Sequence, residues 1–215
     1  AELVADISLG DNFQGTPNSS HPLNLIVYND LLFFKAYDGT TTDCWQYDGV
    51  NPATVNSAIP PDATDFIVFD GVLYFRSYTD GAVGSELWQY DGATASLVYD
   101  INPGVGNSSP GSFYIFNDKL IFKADDGTNG VELWQYDGTN TPAIIADIYA
   151  GQASSNPSNF TEFDGKLYFS AYGDTTTGYE LWVYDGTNTP TLELDLLPGL
   201  AANGYGYSSY ISSIN

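Results

Sequence analysis

Four tryptophans, at positions 45, 88, 134 and 182, stand at intervals of 43, 46 and 48 in a chain of 215 residues. The text around them recurs: Asp43-Cys44-Trp45-Gln46-Tyr47-Asp48-Gly49, Glu86-Leu87-Trp88-Gln89-Tyr90-Asp91-Gly92, Glu132-Leu133-Trp134-Gln135-Tyr136-Asp137-Gly138 and Glu180-Leu181-Trp182-Val183-Tyr184-Asp185-Gly186. Such a period demands one supersecondary unit repeated, each copy burying its apolar surface against its neighbours.

Each unit reads as four short strands. The first is apolar (Leu23 to Tyr28, Phe66 to Phe69, Phe113 to Phe116, Phe160 to Phe163) and ends in Asn29-Asp30, Asp70-Gly71, Asn117-Asp118 or Asp164-Gly165. These dipeptides tolerate positive φ and predict two-residue hairpins. The second strand alternates as Leu32, Phe34, Ala36; Leu73, Phe75, Ser77; Leu120, Phe122, Ala124; Leu167, Phe169, Ala171. That face is expected in the core, and the opposite one, with Lys35, Arg76 and Lys123, in a wetter setting. A Gly/Asp/Thr loop leads to the Trp strand. Asp-Gly then turns into a fourth strand, Ala95 to Ile101, Ala143 to Ile148 and Thr191 to Leu196. No segment keeps helical periodicity over ten residues. The expected fold is all-β, a β-propeller-like array of four four-stranded antiparallel repeats: 22–61, 62–111, 112–158 and 159–204, all in one repeat domain.

The Glu-Leu-Trp-x-x-Asp-Gly string resembles the bacterial ELWxxDGT-repeat proteins, and the likeness covers nearly the whole chain. The resemblance implies a secreted or surface-exposed, propeller-like protein and no particular activity. The first repeat departs from it, with Asp43-Cys44 in place of Glu-Leu and a short Pro-rich link, Ser57 to Thr64.

The ends carry the phase of the repeat. Leu3-Val4-Ala5-Asp6-Ile7 matches a fourth strand, within a terminal stretch 1–21. Ser208 to Ile214 matches a first strand, within 205–215. Together they supply two of four places in a further partial blade. They could pair with each other, belong to a longer array, or leave edges that a neighbouring molecule completes. The last reading makes Leu3, Val4, Ile7, Tyr205, Tyr207, Tyr210, Ile211 and Ile214 the assembly residues, with copies of the chain as partner.

With 27 Asp+Glu against 5 Lys+Arg, the net charge is -22, yet the chain is 43% hydrophobic and 15% aromatic. The aromatic content excludes a disordered acidic tail, and the charge excludes a nucleic-acid partner. The longest apolar stretch, Leu25 to Phe34, is interrupted by Asn29 and Asp30 and is far short of a spanning helix. One cysteine allows no intrachain disulfide. An Ala1-Glu2-Leu3 start without Met fits signal-peptide cleavage, and sequons at Asn18, Asn107 and Asn159 would allow glycosylation outside the cell. The expected location is extracellular or at the cell surface.

Calcium is the expected cofactor, because acidic Gly-rich loops offer the oxygen ligands it needs. The loops before the Trp strands place Asp38 with Asp43, Asp80 with Glu86, Asp125 and Asp126 with Glu132, and Asp174 with Glu180. A second series, Asp6, Asp100, Asp147 and Asp195, each has Gly four residues on and either caps a turn or ligates an ion. The Asp-Gly acids, Asp48, Asp91, Asp137 and Asp185, are read as turn residues. His21 is the only histidine and precedes Pro22, and no nucleophile motif or phosphate loop is present. No catalytic residues are expected. The function expected is a non-enzymatic, calcium-binding, self-assembling fibre or surface-layer subunit. The alternative is a carbohydrate-binding lectin or adhesin whose 17 Tyr and 4 Trp stack on sugar faces.

Overall fold

The computed structural model describes residues 6–8, 18–78 and 82–195. Within them lie four antiparallel sheets of four strands, each in simple sequential order. Sheet 1 is β1 (Leu23–Tyr28), β2 (Leu31–Tyr37), β3 (Thr42–Tyr47) and β4 (Thr54–Val55). Sheet 2 is β5 (Thr64–Phe69), β6 (Val72–Ser77), β7 (Glu86–Tyr90) and β8 (Ala95–Tyr99). Sheet 3 is β9 (Gly111–Phe116), β10 (Lys119–Asp125), β11 (Val131–Tyr136) and β12 (Ala143–Ala146). Sheet 4 is β13 (Ser158–Phe163), β14 (Lys166–Tyr172), β15 (Tyr179–Tyr184) and β16 (Thr191–Leu194). No helix long and apolar enough to cross a membrane occurs among the described residues.

The hairpins between first and second strands are built as the dipeptides predict. Both central residues have positive φ in all four: Asn29 49° and Asp30 61°, Asp70 46° and Gly71 72°, Asn117 48° and Asp118 55°, Asp164 49° and Gly165 70°. That is the primed turn whose twist matches the flanking strands. The first strands of sheets 2–4 begin earlier than expected, because each carries a bulge. Asn24, Asp65, Ser112 and Asn159 sit at φ 55° to 57°, and the pairing register slips at the same place in β1, β5, β9 and β13. The fourth strands are shorter than expected, ending at Tyr99, Ala146 and Leu194.

The second strands correct the expectation of one dry and one wet face. Phe33, Tyr74 and Ile121, on the face assigned to the wetter side, are no more than 2% exposed, like Leu73, Leu120 and Leu167 on the other. Even Lys35 is buried, its Nζ donating to the Pro61 carbonyl. Strands covered on both faces read as near-continuous apolar runs, as Leu31-Leu32-Phe33-Phe34 does.

Two compact units are distinguished by contact density: Ala1–Thr79 with Leu87–Val98, and Asp80–Glu86 with Tyr99–Asn215. In the first, the face of sheet 1 bearing Ile26, Tyr28 and Phe33 packs on the face of sheet 2 bearing Leu73, Phe75 and Tyr90. In the second, the matching face of sheet 3 (Tyr114, Phe116, Ile121) packs on the matching face of sheet 4 (Leu167, Phe169, Tyr184). We call these the leading face of one repeat and the trailing face of the next. The joints repeat in detail: Tyr28 meets Tyr90 with ring centroids 6.0 Å apart, and Phe116 meets Tyr184 at 6.1 Å. The hairpin of the earlier sheet also seats on the Tyr-Asp-Gly turn of the later one. A Cβ on Gly92 would stand 3.2 Å from Asn29 Nδ2, and one on Gly186 2.2 Å from Asn117 Nδ2. The Gly of the recurring string is therefore a seat for the preceding repeat as well as a turn residue.

Replacing Asp118 tests the hairpin. A β-branched residue at φ 55° is strained by about 1–2 kcal/mol, so Asp118→Val should lower stability by that amount in urea unfolding. Asp118→Gly, which reproduces Gly71 and Gly165, should be close to neutral.

Candidate functional site

The recurrent acids hold the backbone. Asp48 Oδ1 accepts from Val50 N and Asn51 N (2.9 and 2.7 Å), and its Oδ2 from Asn51 Nδ2 (2.7 Å). Asp137 and Asp185 repeat this with Thr139 and Asn140, and with Thr187 and Asn188. Asp91 accepts from Ala93 N and Thr94 N. Among the loops expected to hold metal, Asp38 accepts from Thr40 N, Thr40 Oγ1 and Thr41 N, and Asp174 likewise from Thr176 and Thr177. Asp126 accepts from Thr128 N and Asn129 N, and Asp125 from Gly127 N. These are Asx turns, in which a short carboxylate takes the place of a backbone carbonyl. The hydrogen bonds, led by those from Asn51, Asn140, Thr176 and Asn188, bring the carboxyls of Asp48, Asp137, Asp174 and Asp185 down to about 2.

The glutamates of the repeat do something else. Glu86 and Glu132 are fully buried. Glu132 Oε2 accepts from Ile148 N (2.9 Å) and Ser155 Oγ (2.5 Å), and Oε1 from Ser155 N (2.9 Å). Glu86 has the same set from Ile101 N, Ser108 Oγ and Ser108 N. Each glutamate thus clamps both ends of the link that runs to the next repeat. Asp125 N then donates to Ser108 O, and Tyr172 N to Ser155 O, joining that link to the second strand it introduces. Burial pushes both glutamate carboxyls above their ordinary value, outweighing the hydrogen bonds from Ser108 and Ser155. Glu180 is buried in the same register, opposite Ala171 as Glu132 is opposite Ala124. Its counterparts of Ile148 and Ser155 fall beyond residue 195, outside the described residues.

Repeat 1 lacks this clamp. Asp43 accepts from Thr41 Oγ1, and Cys44 occupies the buried place of Leu87 and Leu133, its thiol pushed up to about 12 by burial. The shorter link instead uses Asn56, which donates to Gln46 Oε1 (2.8 Å) and Tyr90 OH (3.1 Å) and accepts from Ala58 N. Asp62 receives Ser77 Oγ and Tyr78 N. A depression of about 360 Å³ opens beside Asn56, lined also by Tyr28, Asn29, Gln46 and Tyr90.

The other expected sites are scattered. Asp100 and Asp147 each accept from the glycine four residues on, Gly104 and Gly151, at 3.0 Å. Asp6 is exposed and Asp195 half-buried. No group of three His, Cys, Asp or Glu side chains forms a metal cluster among the described residues. Asp80, Leu3, Val4, Tyr205, Tyr207, Tyr210, Ile211 and Ile214 lie outside the described residues, and Ile7 is half-buried. Of the sequons, Asn18 is half-buried, Asn107 Oδ1 accepts from Ser85 N, and Asn159 donates to Ser170 Oγ. Trp88 and Trp182 pack into the two cores, and the indoles of Trp45 and Trp182 donate to Ala36 O and Ala171 O.

What sequence reasoning missed is the trailing Ser of the clamp and one unlike surface. Ser108-Ser109-Pro110 and Ser155-Asn156-Pro157 form a recurrent Ser-x-Pro signal 22 or 23 residues after the glutamate. The surface is the leading face of sheet 4, where Phe163 is 65% and Leu194 49% exposed. There a depression of about 350 Å³ is lined by Thr161, Phe163, Tyr168, Leu181 and Leu194.

The clamp sets a pH dependence. A carboxyl raised by burial favours the fold below its unfolded value and weakens it as pH rises through the folded one; the lowered Asp caps work the other way. Melting temperature should therefore climb as pH falls through the raised glutamate range toward 4.5 and drop again from 3.8 down to about 2. Glu132→Gln should flatten the climb. Glu132→Ala, which strands the buried Ser155 N–H and the half-buried Ile148 N–H, should cost about 2–4 kcal/mol in urea unfolding.

No protein-family model matches the chain, and no curated protein matches it. Among solved structures it is similar to the β-propeller domain of the Trilobed protease from Pyrococcus furiosus, described as having an open velcro topology. The identity is 15% and the TM-score 0.50, over 80% of this chain and 56% of that one. It is also similar to Pyrococcus horikoshii acylaminoacyl peptidase, at 16% identity and TM-score 0.51, over 84% of this chain and 28% of that one. The chain thus spans a little over half of the first and under a third of the second. At such identities the likeness concerns fold alone, and it agrees with the sheets: this is an all-β, β-propeller-like array of four-stranded antiparallel repeats.

Proposed function

We propose that the chain is a non-enzymatic structural subunit of the ELWxxDGT-repeat kind, working outside the cell by association with copies of itself. The observation that carries this is the use of the recurrent carboxylates. In repeat after repeat the same acids are engaged by backbone amides, which is scaffold chemistry, whereas an active site is assembled from groups that differ in their surroundings. The thiol of Cys44, buried and raised, suits a packing role.

Calcium belongs to the proposal as a counter-ion at exposed acidic turns. Asp38 and Asp174, in the loops before the Trp strands, are held ionised below the ordinary carboxylate range by their hydrogen bonds, in a chain of net charge -22, and divalent ions there would relieve that self-repulsion. The carbohydrate reading has its own support in the depression beside Asn56, where amide and phenol groups stand next to aromatic rings.

Sedimentation velocity over a broad concentration range is the test: assembly should grow with concentration, and a monomer at every concentration, with and without calcium, would remove the self-association reading. Calcium chloride should raise the melting temperature more than sodium chloride of equal ionic strength, because only an ion that binds the folded form shifts the midpoint beyond screening. Saturable binding on a glycan array would favour the lectin reading.

A further inference from the structure

The leading face of sheet 4 differs from the other three leading faces in its exposure. Phe163 is 65% exposed, while its equivalents Tyr28, Phe69 and Phe116 are 3%, 6% and 1% exposed. Leu181 is half-buried, while its equivalents Cys44, Leu87 and Leu133 are fully buried. The side chains are of the same class, so the sheet carries an interface built like its siblings. Large exposed apolar groups in one patch mark a surface meant for a partner.

The trailing face of sheet 1 is open along its β1 rim, although Phe34 and Ala36 at its centre are 8% and 1% exposed. On the trailing face of sheet 1, Leu25 is 61% exposed, whereas its equivalents Phe66 and Phe160 pack into the two cores. The seat for a preceding hairpin is vacant as well. A Cβ on Gly49 would meet nothing within 4 Å, unlike Gly92, against Asn29, and Gly186, against Asn117.

We infer that the leading face of sheet 4 in one molecule receives the trailing face of sheet 1 in a second copy. Both joints described within the molecule, sheet 1 on sheet 2 and sheet 3 on sheet 4, have this polarity, and both show what an occupant must look like. Phe163 would meet Tyr47 as Tyr28 meets Tyr90 and Phe116 meets Tyr184. The Asp164-Gly165 hairpin would seat on Gly49. The contact is heterologous, so its repetition joins molecules head to tail. This inference rests on the self-association proposed above and places the joint on sheet faces rather than on terminal strand edges.

The test uses two variants of the full chain, Phe163→Glu and Leu25→Glu, at exposed positions where the fold should be kept; circular dichroism and melting check this. Each alone should sediment as a monomer at concentrations where the wild-type chain assembles. Mixed in equal amounts, they should form one-to-one dimers and nothing larger, because the mixture holds one intact joint: the sheet 4 face of the Leu25→Glu chain with the sheet 1 face of the Phe163→Glu chain. Assembly of both single variants like the wild type would overturn this joint while leaving self-association standing. A monomeric wild-type chain would overturn both. Chains that stay monomeric when mixed would overturn the pairing of these two faces.

Discussion

Everything in this molecule follows from a four-stranded sheet that is apolar on both sides. A sheet with one dry face can cover itself with a hairpin or a helix and stop. Here Phe33 and Phe34, neighbours in β2, point to opposite faces and are both buried. A unit of this kind has apolar surface to bury on each side, which neighbouring units supply. Stacking is therefore forced by the central strand, and the polarity of the stack by the different residues on its two faces. Tyr-Asp-Gly on the trailing side receives Asn-Asp on the leading side, which fixes the order as well as the spacing.

The acids resolve an apparent conflict between a net charge of -22 and a compact fold. A carboxylate in a turn supplies acceptors for amides that the tight backbone leaves unpaired, and at the surface it remains hydrated. A buried glutamate is a harder case, since desolvation disfavours its charge. Glu86 and Glu132 answer with three donors each, all from the link that must deliver the next strand. Their placement makes the entry to a repeat depend on the repeat before it. In repeat 1 the shorter link removes the need, and a neutral amide, Asn56, performs the smaller task.

Much of this was legible in the sequence, and the boundary has physical causes. The hairpin dipeptides announce positive φ, and the Trp period announces the unit, because both are local signals. The bulge at Asn24, Asp65, Ser112 and Asn159 is also local, a small polar residue two after Pro, Ala or Pro again, but it is masked by the apolar run that follows it. The burial of both faces was missed because Lys35, Arg76 and Lys123 punctuate one of them. A lysine can lie along an apolar wall if its ammonium reaches a carbonyl, as Lys35 reaches Pro61. The role of the glutamates was missed because their partners stand 15 to 23 residues away. Read locally, an acid in a Gly-rich loop looks like a ligand; read with Ser108 and Ser155 in place, it is a clamp.

Repetition also tells where to look for what is particular. Side chains that recur with the same partners explain the stack, and only departures from the pattern can distinguish one position in it from another. Two departures stand out among the described residues. One is the link of repeat 1, where a shorter path opens a polar depression beside Asn56. The other is the pair of exposed apolar patches at Phe163 and Leu25, whose equivalents in the other sheets are buried or partly buried. In sheets that are apolar on both sides, exposed rims matched in kind extend the rule seen in the two described joints, sheet 1 on sheet 2 and sheet 3 on sheet 4, to the contact inferred between copies.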